Sequence, residues 1–442
     1  VAEEKLSWKF PREFWVANSI ELFERAAYYG MFIVLAVYLT REVGFTDVET
    51  GWVTGLFASI IYLAPTFTGA LSDKIGFRGA LILAFALLTF GYLVLGAWPT
   101  KFAAVTALTF IMLGGSFVKP IISGTAAKAS DERHRARAYS IFYMMVNIGA
   151  FTGKTIAKPL RLELGLRYIN FYAAAMAFIA LLIVYFLYKD IDTTGKGKSL
   201  KETVNGLLKV LKNVRFMALI LIVSGFWAIQ NQLYATMPKY TLRLVGEYAS
   251  PEWLANINPL VVVLLVVPIT HLARKISSVS SIGIGLMIIP FSALTVSLSP
   301  VFGKLLGNPI NAFGIIHLHP ITFSLILGIS LQGLAEIFLS PRFLEYASKQ
   351  APKGEEGLYL GYSHLTTFFA GLFAFVSSGY LLDKYCPDPR TLAPDQMAAA
   401  YSHAHYIWYF YAGVGVVAFL LLLIYKYICD YIDKRKAVTG ND

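Results

Sequence analysis

Glu21-Leu22-Phe23-Glu24-Arg25-Ala26-Ala27-Tyr28-Tyr29-Gly30 is the run on which the reading of this chain turns. It lies within an apolar stretch from Phe14 to Leu39, long enough to cross a bilayer, for which ~20 helical residues suffice. Each charged group in such a helix costs roughly 2.5 kcal/mol or more at the bilayer centre, so it must face a protein interior or a water-filled path. Glu21, Glu24 and Arg25 follow one another at i, i+3 and i+4, which sets all three on one helical face. The run therefore predicts a helix inside a membrane bundle, with its charges turned toward function.

Composition carries the same message. The 442 residues are 57% hydrophobic and only 15% charged, whereas soluble domains carry about 25% charged residues. The formal net charge of +11 raises the question of nucleic acid. Its Lys and Arg residues, however, fall in short loops between apolar runs rather than in one stripe, so no nucleic-acid partner is expected. Cys386 and Cys429 form neither a disulfide framework nor a metal-ligand spacing. The basic N-terminus runs directly into a full-length span, so no cleavable signal is expected.

Apolar runs of spanning length recur near 15–40, 51–71, 79–99, 102–126, 138–160 and 169–188, and again near 215–241, 253–273, 280–299, 318–348, 357–381 and 402–429. The expected fold is all-α and membrane-integral, with about twelve transmembrane helices in two bundles. Residues 1–188 form the first bundle, 189–214 a polar linker rich in lysine, and 215–442 the second bundle with a tail. Loops on one side hold Lys74, Arg78, Lys128, Arg133, Arg135, Arg137, Arg274, Lys275, Lys349 and Lys353, and those on the other hold Glu42, Asp47, Glu49, Glu163, Glu247, Glu252, Asp383 and Asp388. The positive-inside rule then places both termini in the cytoplasm, with the plasma (inner) membrane as the expected location.

Two helical halves joined by a cytoplasmic linker describe the major facilitator architecture. The segment Gly69-Ala-Leu-Ser-Asp73-Lys74-Ile-Gly76-Phe-Arg78-Gly79 resembles that superfamily's loop between helices 2 and 3. Gly76 permits a tight turn, while Asp73 can sit at a helix N-terminus and Arg78 with Lys74 can offer the countercharges of one gate state. The competing reading is a solvated turn with ordinary topological charges.

Chemistry concentrates in a few intramembrane groups. An arginine beside two carboxylates can depress one and leave the other able to exchange a proton, because like charges close together do not both ionise cheaply. Glu21, Glu24 and Arg25 are therefore candidates for proton coupling, against the alternative of a static ion network. Lys119 lies too deep in its helix to snorkel comfortably, and Glu336 is mid-helix with no cation within a turn. A structural ion pair for Lys119 and a permanently protonated packing role for Glu336 are the competing readings.

Further matches identify a family. Glu21-x-x-Glu24-Arg25-x-x-Tyr28-Tyr29-Gly30-Met31 resembles the signature of the proton-dependent oligopeptide transporters. Gly114-Gly115-Ser-Phe117-Val-Lys119-Pro120 resembles their helix 4, and Phe142-Tyr143-Met-Met-Val-Asn147-Ile-Gly149-Ala150 their helix 5. Asn258-Pro259-Leu260 with Pro268 resembles helix 8, and Gln332-Gly-Leu-Ala-Glu336-Ile-Phe-Leu-Ser340-Pro341 resembles helix 10. The resemblance implies that Arg25 and Lys119 face a peptide carboxylate and that Glu336 faces its amino group. Independently, cations on one half and an anion on the other have the polarity of a zwitterion. Tyr29, Tyr62, Asn147 and Asn258 are the leading further contacts for substrate, ahead of Tyr28, Trp227, Gln230, Asn231 and Gln232.

The chain also departs from the family pattern. It lacks the two extra helices that many bacterial members carry between the halves, and helix 11 reads Ser363-His364 where tryptophan is usual. Lys154 and Lys158 add cations to helix 5, and Arg342 with Glu345 adds charge to helix 10. Lys154, if turned inward, would favour a more anionic substrate.

The expectation is a proton-coupled symporter of di- and tripeptides or peptide-like molecules, binding substrate at mid-membrane between the halves and working by alternating access. Its partners would be substrate, protons and membrane lipids, with the protein a monomer, no cofactor and no metal, and the proton as coupling ion. The alternatives are a symporter of another small anion, such as nitrate or a carboxylated metabolite, and a peptide sensor without net transport. An enzyme is not expected, since no apolar span carries a Ser/His/Asp or metal-ligand grouping.

Overall fold

A computed structural model describes residues 10–130, 134–189, 200–312, 314–352 and 356–439. The helices in chain order are α1 (Arg12–Arg41), α2 (Asp47–Leu63), α3 (Pro65–Ile75), α4 (Phe77–Ala97), α5 (Lys101–Lys128), α6 (Arg135–Glu163) and α7 (Leu166–Leu187), followed by a short amphipathic α8 (Leu200–Lys212). Then come α9 (Val214–Gln230), α10 (Gln232–Ala235), α11 (Met237–Leu244), α12 (Pro251–Leu254), α13 (Ile257–Leu272), α14 (Ser278–Ser297) and α15 (Ser299–Leu306). The last are α16 (Pro320–Lys349), α17 (Glu356–Tyr362), α18 (Leu365–Tyr385), α19 (Met397–Tyr401) and α20 (Tyr406–Thr439).

Eleven described helical segments are long and apolar enough to cross a membrane. The remaining expected span, α6, fifth by position, has 29 residues and so ample length, about 44 Å at 1.5 Å per residue. It falls outside the apolar set while carrying Asn147, Lys154, Lys158 and Arg161. The all-α expectation needs one addition, a hairpin of β1 (Ile310–Ala312) and β2 (Ile316–Leu318) paired antiparallel with Asn311 opposite His317. Several of the expected continuous spans are broken, among them the second, the seventh and the eleventh. The break before Pro65 separates α2 from α3, and that at Thr236, two residues before Pro238, separates α10 from α11; Ala64 and Thr236 keep right-handed helical backbone, but proline has no N–H with which to continue the helix ladder. The third break, at Ser363–His364, divides α17 from α18, and there the Ser363 hydroxyl bonds back to the Leu360 carbonyl, an alternative partner that competes with the helix ladder.

By contacts the chain divides into two units, Val1–Thr46 with Ile60–Asn205 and Asp47–Ser59 with Gly206–Asp442. Of the expected linker 189–214, residues 190–199 lie outside the described residues. Close helix approach in the first unit depends on glycine, as is usual where lipid removes the hydrophobic drive between helices. A Cβ on Gly149 would stand 2.5 Å from the Leu22 carbonyl of α1, and one on Gly114 would stand 2.6 Å from the Ala84 carbonyl of α4. Hydrogen bonds from Tyr38 to the Leu95 carbonyl and between Thr125 and Tyr188 (2.6 Å) join further helices.

In the second unit the same device joins α14 to α16 at Gly285 and Gly328, where a Cβ would meet the Ala335 and Ser292 carbonyls at 2.8 and 2.7 Å. The early part of α2 packs on α18 through Gly51 and Gly379, and Ser59 donates to the Phe368 carbonyl at 2.9 Å. These contacts explain why Asp47–Ser59 groups with the later chain.

Candidate functional site

In the first unit, α1 presents the expected charge cluster. Arg25 Nε is 3.2 Å from Glu21 Oε1 and also pairs with Glu24, while both carboxylates are almost fully buried, at 1% and 2% exposed. The Arg25 guanidinium lies 5.6 Å from the Tyr28 ring centroid and 6.0 Å from that of Tyr29, a range in which a cation is attracted by an aromatic face. Lys154 of α6 approaches Tyr29 from its own helix, with Nζ 5.8 Å from the ring centroid, and is 2% exposed. Lys154 is thus turned inward, the orientation that the sequence left open.

Lys119, exposed on α5, lies close enough to Arg25, Glu21 and Glu24 for their charges to interact, and Tyr62 interacts likewise with Tyr29, Arg25 and Glu24. The structure therefore gathers Glu21, Glu24, Arg25, Tyr29, Tyr62 and Lys119 within one unit. Asn147 is exposed on α6 and its amide donates to the Tyr143 carbonyl one turn back, at 2.8 Å.

In the second unit the central group is Glu336 on α16, half-buried. Its Oε2 accepts from Gln230 Nε2 of α9 at 2.8 Å and from Asn258 Nδ2 of α13 at 3.3 Å. Three helices thus converge on one carboxylate. Asn258 was a leading candidate, while Gln230 stood among four weaker ones on the same helix. Gln232, by contrast, is spent within its own segment, donating to the Ala228 carbonyl and accepting from Thr236.

The turn between α3 and α4 has the expected strained glycine, Gly76 at φ +81°, a conformation with little cost only for glycine. The Asp73 side chain lies outside the described residues. Arg78 is exposed and donates to the Tyr185 carbonyl in the last turn of α7 at 2.7 Å, where a cation complements the helix C-terminus. Arg342 pairs with Glu345 at 2.7 Å and donates to the Ala273 carbonyl at 3.0 Å, tying α16 to the end of α13.

Sequence reasoning missed one buried cluster. Asp47, at the start of α2, takes Lys239 at 2.7 Å and Arg243 at 2.8 Å, both from α11, with side chains 3–4% exposed. Arg243 also donates to the Cys386 carbonyl at 2.5 Å and approaches Asp388 at 3.9 Å. Burial alone raises the Asp388 pKa, but the Arg390 side chain and backbone with Arg243 outweigh it and hold the group at about 2. The available signal was Lys239 inside the expected apolar span 215–241, a charge that needs a buried partner or an exit to water.

Residues 21–305 match the family model of the Major Facilitator Superfamily. The multidrug resistance protein MdtH of Blochmanniella pennsylvanica (strain BPEN) is 22% identical over 82% of this chain and 83% of its own length. Dipeptide and tripeptide permease A of Escherichia coli (strain K12) is 30% identical over 52% of this chain and 46% of its own. Among solved structures, the POT family transporter PepTSo superposes with a TM-score of 0.73 at 18% identity, covering 95% of this chain and 98% of that one. A POT family transporter in complex with 5-aminolevulinic acid gives 0.73 at 20% identity, covering 95% and 96%. Both structures share the fold described above.

Proposed function

We propose that this integral membrane protein, which belongs to the Major Facilitator Superfamily, is a proton-coupled symporter of the oligopeptide transporter family, importing di- and tripeptides or peptide-like molecules by alternating access. The observation that carries the reading is the division of charge chemistry. The first unit holds Arg25 and Lys119 with two carboxylates, and the second holds the carboxylate Glu336 braced by two amides. A zwitterion with a carboxylate at one end and an ammonium at the other matches those two chemistries.

Glu21, Glu24 and Arg25 supply the coupling: protonation of one carboxylate weakens its hold on Arg25 and makes the guanidinium available to a substrate carboxylate. Tyr29, Tyr62, Asn147 and Asn258 offer hydroxyl and amide contacts to the peptide backbone. Asp73 and Arg78 act in gating, and the functional halves are 1–188 and 215–442. The protein acts as a monomer in the plasma (inner) membrane with both termini cytoplasmic, without enzymatic activity or cofactor, the proton being the coupling ion. Relatives named as dipeptide and tripeptide permeases and structural neighbours described as POT family transporters support this reading.

A second reading is favoured by the longer match to a multidrug resistance protein, namely export of drugs. Purified protein in liposomes separates the two. Accumulation of labelled dialanine under an inward proton gradient supports the symporter, and its absence together with proton-driven movement of a cationic dye supports the exporter.

A further inference from the structure

The Glu336 cluster holds more acceptors than its own donors satisfy. Gln230 and Asn258 both donate to one carboxylate oxygen, Oε2. Among the described residues, nothing donates to Glu336 Oε1, and the side-chain carbonyls of Gln230 and Gln332 accept no hydrogen bond. Both glutamines are more than nine-tenths buried, at 8% and 4% exposed. Gln332 precedes Glu336 by one turn of α16, and residues so spaced share a face with Cβ atoms ~6 Å apart. The Gln230 carbonyl is joined to the very amide that bonds Glu336, so it lies within one hydrogen bond and one amide width of that carboxylate.

An acceptor left unbonded in a buried site carries its full desolvation penalty. The two glutamine carbonyls, with the open oxygen of Glu336 beside them, are complementary to a group that carries several N–H donors and a positive charge. Resting on the peptide reading, we propose that Gln230 and Gln332 make this subsite a counter of N–H donors, selecting a primary ammonium over its N-methylated forms. Glu336 reads the charge of the ammonium, and the two glutamine carbonyls read its hydrogens. Neither glutamine needs the backbone to move, because a flexible side chain can swing its amide between staggered rotamers.

The test uses the full-length protein in detergent and a dialanine ladder with the N-terminus free, N-methyl, N,N,N-trimethyl or N-acetyl, with affinity read by calorimetry. The three amine forms keep the charge and differ in donors. Wild-type affinity is expected to fall stepwise along the charged series, by about tenfold or more per lost hydrogen bond. Gln332→Met should weaken the free amine about tenfold and leave the trimethylated form unchanged. Gln332→Glu, which keeps acceptors at that position, should preserve the ladder.

A purely steric objection to methyl groups would survive Gln332→Met, whereas counting of donors would not. Equal losses for all charged forms in Gln332→Met, or a wild type that binds them all alike, would overturn the inference while leaving the peptide reading standing. Absence of binding by every form would overturn both. Should Gln332→Met fail to fold, Gln230→Met run through the same ladder gives the same two outcomes.

Discussion

Arg25 cannot serve two carboxylates and a substrate at once with equal strength. Glu21 lies one turn before it and Glu24 directly before it, both buried and both paired with it, so the proton that neutralises one of them decides how firmly the guanidinium is held. Replacing Glu21 or Glu24 with Gln is therefore expected to reduce gradient-driven accumulation to simple equilibration while leaving exchange at equal pH, since exchange needs the alternating conformations but no net proton movement. Uptake assays with and without a proton gradient would decide this, and unchanged accumulation in both variants would remove the assigned role. At Glu336, Gln should weaken a free-amine dipeptide about ten- to a hundredfold, the worth of a hydrogen bond to a charged group, and its N-acetyl form much less. Equal losses in competition binding would point to a substrate without an amine. Glu21, Glu24, Arg25, Lys119 and Glu336 were legible because charge in an apolar run is costly and so informative. Gln230 was not singled out, because an amide there serves interhelical packing as readily as a ligand, and only the 2.8 Å contact with Glu336 chooses.

Helix boundaries followed the same logic with uneven success. Pro65 and Pro238 break their spans for a reason visible in the residue type, while the break at Ser363–His364 has no proline and depends on a side chain competing for a backbone carbonyl. His364 stands exposed at the head of α18, next to the position where the family resemblance expects a tryptophan wall. The α1–α6 pairing was also beyond sequence reasoning. Gly149 looks like any glycine of an apolar run until the Leu22 carbonyl is found 2.5 Å from where its Cβ would be. Gly149→Val should push α6 away from α1, with an overpacking penalty of ~1–3 kcal/mol. The drop should appear in the thermal unfolding of detergent-purified protein, and proton-driven uptake should fall with it because Arg25 Cβ lies 2.8 Å from the same point. An unchanged melting profile would mean that the two helices separate without consequence.

At the scale of the whole chain, the second unit is not contiguous in sequence. It takes in Asp47–Ser59 along with Gly206–Asp442, and its buried cations depend on that borrowed segment. Polarity along the sequence marks a linker near 189–214 but is silent on which stretch of helix packs where, since that depends on glycine contacts such as Gly51 against the Phe375 carbonyl. Lys239 and Arg243 have side chains only 3% and 4% exposed and share the Asp47 carboxylate. Removing one partner of a buried ion pair leaves uncompensated charge and costs roughly 3–5 kcal/mol. Asp47→Asn should therefore destabilise the protein by an amount of that order, and Asp47→Asn with Lys239→Met should recover part of the loss, because apolar replacement of a buried pair is far better tolerated than its half-removal. A fragment of residues 206–442 expressed alone lacks the carboxylate and the α2 packing surface together, so it should not yield a monodisperse, cooperatively melting species in detergent. Co-expression with residues 1–205 should restore one. If the fragment alone melts as the full chain does, the Asp47 cluster contributes nothing to the second unit's stability, and its buried charges would have to be balanced by Asp388 and the Cys386 carbonyl alone.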